Sequence, residues 1–175
     1  MAHRAFRCLA LVASVIALWA VASPAGATSQ QPASTLERGV LTNINSFRHD
    51  HKLASLRFSS KLAAAAREHS AEMAQRGYFS HDSANGTSFD KRISRYYSIS
   101  GKHYWSVGEN LLWSSPDVDA VGALNMWLNS PEYRKILLTA RWREIGLAAV
   151  HVASASGTYG GREVTIVTAD FGVRR

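Results

Sequence analysis

Cysteine is nearly absent from this sequence of 175 residues, and the single one, Cys8, lies close to the N-terminus. A disulfide needs two cysteines, so no disulfide can form within the chain. Small exported domains commonly depend on disulfides for their stability. We therefore expect this chain to be held together by the packing of one apolar core, for which its length is sufficient.

Common enzyme signatures are missing as well. The sequence contains no H-E-x-x-H zinc motif, no G-x-S-x-G nucleophile motif, no P-loop and no dinucleotide-binding glycine motif. Its formal net charge is +7, but the basic residues are scattered and match no nucleic-acid-binding motif. We expect no nucleic-acid partner. The positive charge favours anionic surfaces such as wall polymers or lipid headgroups, and it equally serves solubility.

Residues 1–27 have the three parts of a cleavable signal peptide. Two arginines precede an apolar stretch over residues 8–22, and Ala25-Gly26-Ala27 supplies the small residues of a cleavage site. The apolar stretch is shorter than the roughly 20 residues that a membrane-spanning helix needs. We predict a protein that is secreted or held in the cell envelope, without a transmembrane segment after cleavage. Removal of Cys8 would also exclude thiol chemistry.

Residues 28–35 are predicted to be a flexible tail, and residues 36–175 a single α+β domain. Apolar spacing and capping residues predict five helices. The second is capped by Ser59 or Ser60 and stops at Gly77, and the others cover residues 36–50, 87–97, 116–129 and 131–138. Ser115-Pro116-Asp117 and Ser130-Pro131-Glu132 are taken as the starts of the last two. Strands are predicted over residues 107–113, 145–152 and 163–171, the last two forming an antiparallel hairpin. Helices before strands favour a sandwich over a parallel sheet.

Three polar motifs contain residue types that can carry chemistry. His81, behind Tyr78-Phe79-Ser80, is a candidate ligand or base, or else a surface histidine in a turn. Glu109, beside Asn110, is costly to bury unless it is paired, so it could accept a proton, bind a metal or pin a loop. Tyr133 would project from the start of the fifth helix.

Several of these motifs occur in a recognisable order. The segments concerned are Phe79-Ser80-His81 with residues 86–93, Gly108-Glu109-Asn110-Leu111, Trp127-Leu128-Asn129-Ser130-Pro131 with Arg134, residues 143–147, and Asp170-Phe171-Gly172. Together they resemble the CAP superfamily (cysteine-rich secretory proteins, antigen 5 and pathogenesis-related 1 proteins) in its bacterial, cysteine-free form. The resemblance implies a three-layer α-β-α sandwich around a small, mostly antiparallel sheet.

The resemblance also implies a cleft. Many members have two histidines and two glutamates there, in some cases around zinc, and His81 and Glu109 correspond to the first of each. Tyr133 stands where the second histidine is expected, and only Glu132 lies near the second glutamate. A tyrosine must lose a proton with a pKa of about 10 before it can bind zinc well. We therefore expect no cofactor, and zinc binding that is weak or absent, at a cleft formed by His81, Glu109, Asn110, Glu132 and Tyr133.

Three functions remain open from the sequence, which favours a non-catalytic one without deciding the point. The first is a binding module for a lipid, sterol, wall polymer or protein, a role compatible with peripheral membrane contact. The second is a hydrolase or protease in which His81 and Glu109 activate a nearby serine or a water. The third is a structural component of a wall or coat.

Overall fold

The computed structural model describes residues 34–175, so the predicted signal peptide and residues 28–33 of the predicted tail lie outside the described residues. The helices of the described part are α1 Thr35–Asp50, α2 Ser60–Arg76, α3 Phe89–Ser94, α4 Ala120–Leu128 and α5 Pro131–Leu137. The strands are β1 Arg57–Phe58, β2 Trp105–Ser114, β3 Glu144–Ala155 and β4 Arg162–Arg174. None of these helices combines the length and the apolar character that a membrane crossing requires.

The four strands form one sheet in the order β1-β3-β4-β2. The predicted hairpin is β3 and β4, which pair antiparallel, and β2 pairs antiparallel with the other side of β4. Only the short β1 is parallel to its neighbour, β3. In the register of β2 and β4, Glu109 lies directly opposite Asp170, so both side chains project from the same face of the sheet.

Helices cover both faces, and the predicted α-β-α sandwich is confirmed. Helix α2 packs on β3 and β4, with α3 beside it, while α1, α4 and α5 lie on the opposite face. The period of two along β4 divides its side chains between two cores. Val164 and Ile166 pack with Met73 of α2, whereas Val167 and Phe171 belong to the core of the opposite face. Burial of these apolar side chains provides stability that disulfides supply in many small exported domains.

Several helices begin and end at capping residues that can be recognised in the sequence. Ser34 and Glu37 form a reciprocal capping box, which starts α1 one residue earlier than predicted. Ser59 caps α2, and Gly77 ends it in the left-handed conformation, with φ of 70°. Ser130 caps α5, and Pro131 occupies its first turn, as expected.

Helix α2 lies unusually close to the sheet because β3 has no side chain at Gly146. A Cβ atom there would come within 2.0 Å of the backbone nitrogen of Ala63. The glycine therefore lets the helix backbone approach the strand directly. This contact sets the position of α2, which carries His69 and leads into the loop that holds His81.

The fourth helix does not begin at Ser115-Pro116-Asp117, as predicted, but at Ala120. The carboxylate of Asp119 accepts a hydrogen bond from the backbone N–H of Gly122 at 2.6 Å, so Asp119 is the cap that the chain uses. The carbonyl of Pro116 instead accepts a hydrogen bond from the hydroxyl of Thr165 on β4. In this helix Val121 has 59% of its surface exposed.

Two other elements differ from prediction. Helix α3 is shorter than predicted, because Ser88 is its N-cap and the helix ends after Ser94. Strand β1 was missed altogether, since two residues are too few to show an alternating pattern.

Candidate functional site

His81 and Glu109 form a direct pair. His81 lies in the loop after α2, and Glu109 lies on β2, on the face covered by α2 and α3. The Nδ1 atom of His81 donates a hydrogen bond of 2.8 Å to Oε1 of Glu109. The histidine side chain is 43% exposed, whereas the glutamate is fully buried. The carboxylate therefore fixes the orientation of the imidazole and leaves its Nε2 atom free of this contact.

A buried arginine completes this pair. Arg92 of α3 donates from Nη2 to the second oxygen of Glu109, and both side chains are fully buried. Its Nη1 atom donates to the carbonyl of His81 at 2.9 Å and to the hydroxyl of Ser83 at 3.3 Å. One guanidinium thus holds the glutamate, the histidine backbone and the adjacent turn, while it neutralises a carboxylate that would otherwise be costly to bury.

Sequence reasoning gave Arg92 no role of its own. A usable signal was present, since Arg92 follows Phe89 by three residues and therefore shares its side of α3. A cation on the apolar face of a helix indicates a buried partner. The sequence pattern does not identify that partner.

Hydrogen bonds to backbone carbonyls hold the His81 loop from below. The hydroxyl of Tyr159 donates to the carbonyl of Tyr78 at 2.8 Å. His69, buried on α2, uses Nε2 to donate to the carbonyl of Ser80 at 2.8 Å. Burial lowers the pKa of His69, which favours its neutral form. Its Nδ1 atom has no hydrogen-bond partner among the residues that the structure describes.

Asp170 is a second acid beneath the site, and no pattern in the sequence assigns it a role there. It is fully buried opposite Glu109, and neither carboxyl oxygen has a hydrogen-bond partner of good geometry within residues 34–175. Burial, reinforced by the negative charge of Glu109, raises the pKa of Asp170 well above its usual range, and Arg92 only partly opposes this. The site therefore has one ionised carboxylate facing one guanidinium, with a second acid that prefers to stay protonated.

The predicted site residues separate into two groups. His81, Glu109, Glu132 and Tyr133 line one cleft of about 490 Å³ at the open edge of β2. The other lining residues are Phe89, Val107, Gly108, Lys135, Ile136, Thr139, Arg141 and Trp142. Asn110 is not among them, because it projects from the opposite face of β2. Its side-chain amide donates to the carbonyl of Tyr133 at 3.2 Å, so it positions α5 from behind.

Tyr133 contacts His81 through its ring. The two ring centroids are 5.9 Å apart, with an interplanar angle of 71°, which is an edge-to-face contact. Burial and the nearby charge of Glu109 raise the pKa of the Tyr133 hydroxyl, despite an opposing backbone contact from Leu111. Tyr133 therefore stays protonated at neutral pH and forms an aromatic wall beside the imidazole.

These residues do not fit a zinc ion. No group of three or more histidine, cysteine, aspartate or glutamate side chains within residues 34–175 is placed to hold a metal. Both oxygens of Glu109 are engaged by His81 and Arg92, and Nδ1 of His81 is used by Glu109. A protonated tyrosine is a poor ligand. A zinc site normally needs at least three protein ligands, and the cleft offers one free nitrogen.

Zinc titration tests whether this protein, unlike the metal-binding members of the resembled family, binds zinc only weakly. We expect the unaltered protein to bind zinc no more tightly than micromolar. Tyr133→His is expected to tighten binding by about tenfold or more, since it adds a neutral nitrogen ligand beside His81. Tyr133→Phe serves as the matched control and should change nothing. One zinc per protein at submicromolar affinity, lost in His81→Ala, would contradict the interpretation.

Comparison with known proteins finds related sequences and folds. The family model described as "CAP: Cysteine-rich secretory protein family" matches residues 41–171. Over 114 residues the chain is 32% identical to the uncharacterized membrane protein YlbC of Bacillus subtilis, a match that covers 65% of this chain. The chain spans only 31% of the length of that relative.

Two solved structures share the fold. An extracellular protein containing an SCP domain from Bacillus anthracis is 28% identical, with a TM-score of 0.57, and the match covers 83% of this chain and 45% of that one. An outer surface protein from Borrelia burgdorferi is 20% identical, with a TM-score of 0.60, over 79% of this chain and 92% of that one. At 20% identity the second likeness concerns the fold alone.

Proposed function

The chain belongs to the CAP, or cysteine-rich secretory protein, family, and from that premise we propose that it is an exported binding protein that holds a molecule outside the cell without transforming it. The ligand classes are those expected from the sequence: a lipid, a cell-wall component or a protein. The cleft between His81 and Tyr133 is the proposed binding site.

One observation carries this proposal: hydrogen bonds join Glu109, Arg92 and the His81 loop into one fixed network beneath the cleft. Both oxygens of Glu109 are engaged, and Arg92 is buried between Glu109 and the His81 loop. The neighbouring serines are engaged as well, since Ser80 accepts from the backbone of Asp82 and Ser83 accepts from Arg92. The cleft therefore presents a rigid set of contacts and no activated nucleophile.

The size and lining of the cleft support binding of a small ligand or of part of a larger one. Its volume of about 490 Å³ lies within the range of pockets that hold small organic molecules. Half-buried aromatic and aliphatic side chains, such as Phe89, Tyr133 and Ile136, line the cleft together with the imidazole of His81. This mixture of apolar walls and a few polar groups is typical of binding sites.

The N-terminal pattern of residues 1–27 supports export, and so does the description of one similar protein. The solved structure of the 28% identical relative from Bacillus anthracis is described as an extracellular protein. A cysteine-free domain with two packed cores suits such a location, because its stability is independent of the redox state of the surroundings.

Sedimentation with isolated cell walls, and separately with lipid vesicles, tests the proposal. We expect the purified protein to bind one of these materials, and His81→Ala and Tyr133→Ala each to weaken binding by about tenfold or more. His51→Ala, in an exposed position after α1, is the matched control. Equal binding by all four proteins would show that the cleft is not the binding site.

A hydrolase remains the second candidate, because the hydrogen bond of 2.8 Å between His81 and Glu109 is the contact that orients a general base. With the neighbouring serines engaged, the nucleophile would be a water. Turnover of an ester or peptide substrate that disappears in both His81→Ala and Glu109→Gln would favour this function. Turnover that survives both changes would come from a contaminant.

A further inference from the structure

The rim of the cleft is positively charged, because Lys135 and Arg141 lie there. Resting on the proposed binding function, we infer that the ligand is an anionic glycan, whose carboxylate or phosphate groups bind Lys135 and Arg141 while its sugar rings lie against Tyr133 and Phe89. The charge at the rim thus identifies the chemical class of the ligand, which neither the family nor the cleft volume supplies.

The charge comes from one continuous stretch. Residues 134–143 contain four basic side chains and no acidic one. Two of them, Lys135 and Arg141, are exposed and line the cleft, and neither takes part in an ion pair within residues 34–175. Two unpaired cations at the mouth of one cleft attract an anion more strongly than scattered surface charges do.

The acids nearby do not cancel this charge. Glu109 is neutralised by Arg92, and the raised pKa of Asp170 favours its neutral form. Only Glu132, exposed on the first turn of α5, adds an unpaired negative charge to the lining within residues 34–175. The lining therefore retains a net positive charge even when His81 is neutral.

Arg141 is held in place before any ligand binds. Its guanidinium carbon lies 4.7 Å from the ring centroid of Trp142. The indole of Trp142 is buried and donates to the carbonyl of Ile136 on α5 at 3.0 Å, which connects the arginine to the same helix as Lys135. An arginine stacked in this way loses less side-chain freedom when it binds an anion.

The remaining lining fits a sugar better than an acyl chain. An acyl chain needs an enclosed and uniformly apolar cavity, whereas this cleft is partly open to solvent and includes the imidazole of His81 and the hydroxyl of Thr139. A sugar ring combines an apolar face, which packs on aromatic rings such as Tyr133, with hydroxyl groups that need polar partners. The open ends let a polymer continue beyond the cleft.

Titration calorimetry on the purified protein at low and physiological salt tests the inference. The probes are polygalacturonate for carboxylates and a phosphorylated mannan for phosphates, each beside an uncharged polymer, methyl-esterified pectin or unmodified mannan. We expect binding to at least one charged polymer and none to its uncharged form. Lys135→Gln/Arg141→Gln should weaken binding by about tenfold or more. Glu132→Gln should strengthen it slightly, because it removes the negative charge at the rim.

A matched variant distinguishes binding by Lys135 and Arg141 from nonspecific attraction by the net charge of the protein. Lys61→Gln/Lys102→Gln removes the same charge from exposed positions outside the cleft, and we expect it to change affinity by less than about threefold. Equal weakening by both double variants would overturn the inference, as would binding to phosphatidylglycerol vesicles but to neither charged glycan.

Binding measurements on the cleft variants distinguish a wrong ligand class from a wrong binding site. If binding to cell walls needs His81 and Tyr133 but is unchanged in Lys135→Gln/Arg141→Gln, the cleft binds its ligand and the ligand is not anionic. If no variant of the cleft matters, the proposed function itself is wrong.

Discussion

Replacing Arg92 with methionine is expected to lower the free energy of unfolding by about 3–5 kcal/mol, the usual cost of removing one partner of a buried ion pair. Methionine retains much of the volume of the side chain but leaves Glu109 as an uncompensated charge in a fully buried position. It also removes the hydrogen bonds to the carbonyl of His81 and the hydroxyl of Ser83. The loop that carries His81 should therefore loosen together with the core.

Urea denaturation followed by tryptophan fluorescence measures this effect. Arg95→Met is the matched control: it removes a nearby arginine whose partner, Glu68, is partly exposed, and such pairs contribute about 0–1 kcal/mol. If Arg92→Met is too unstable to purify, Arg92→Met/Glu109→Gln keeps the test available. Glutamine carries no charge, so the double variant should recover a large part of the loss. A cost below about 1 kcal/mol for Arg92→Met would contradict the role assigned to the ion pair.

Much of the fold could be predicted because its signals are local. The capping box of Ser34 and Glu37, the proline start of α5 and the β-rich runs of the hairpin each depend on neighbouring residues. Where two local signals competed, the prediction was wrong, as at Ser115-Pro116-Asp117, which lies ahead of the cap that Asp119 provides. The local sequence alone does not show which of these two possible caps starts the helix in the folded protein.

The candidate site was predictable only in part. His81, Glu109 and Tyr133 could be named from their motifs, but the ion pair that supports them joins Arg92 of α3 to a strand that follows it. Asp170 reaches the site through the pairing of β2 with β4, which no spacing along the chain reveals. Contacts of this kind depend on tertiary packing, so a buried charge signals only that a partner exists.

The pairing of β2 with β4, which places Asp170 opposite Glu109, also makes the stability of the protein depend on pH. Asp170 has a raised pKa in the folded state because burial and the charge of Glu109 disfavour its ionised form. The folded protein therefore keeps a proton that the unfolded chain releases. Its stability falls as pH rises from the pKa of Asp170 in the unfolded chain, about 3.9, to the raised pKa in the folded protein. In that window the loss attributable to Asp170 approaches about 1.4 kcal/mol per pH unit.

Asp170→Asn should remove this loss, since the amide has nearly the same shape and does not ionise. The stability of Asp170→Asn relative to the unaltered protein is expected to grow as pH rises through the window, in urea denaturations at closely spaced pH values. The comparison cancels the contribution of His69, whose lowered pKa destabilises the protein in the opposite direction, as pH falls below about 6.5. Asp117→Asn, at an exposed position, should leave the curve unchanged.

A constant difference between Asp170→Asn and the unaltered protein would mean that Asp170 is ionised in both states, and Arg92 would then face two carboxylates. The structure argues against that arrangement, because the carboxyl of Asp170 faces the carboxylate of Glu109, which only a protonated Asp170 could donate to, and no N–H or O–H group within residues 34–175 donates to either oxygen of Asp170 with good geometry. A protonated Asp170 leaves Glu109 as the single negative charge beneath the cleft, and Arg92 balances it. The orientation of His81 thus depends on an acid that stays neutral, and Asp170→Asn should preserve ligand binding, whereas Glu109→Gln should weaken it by loosening the imidazole.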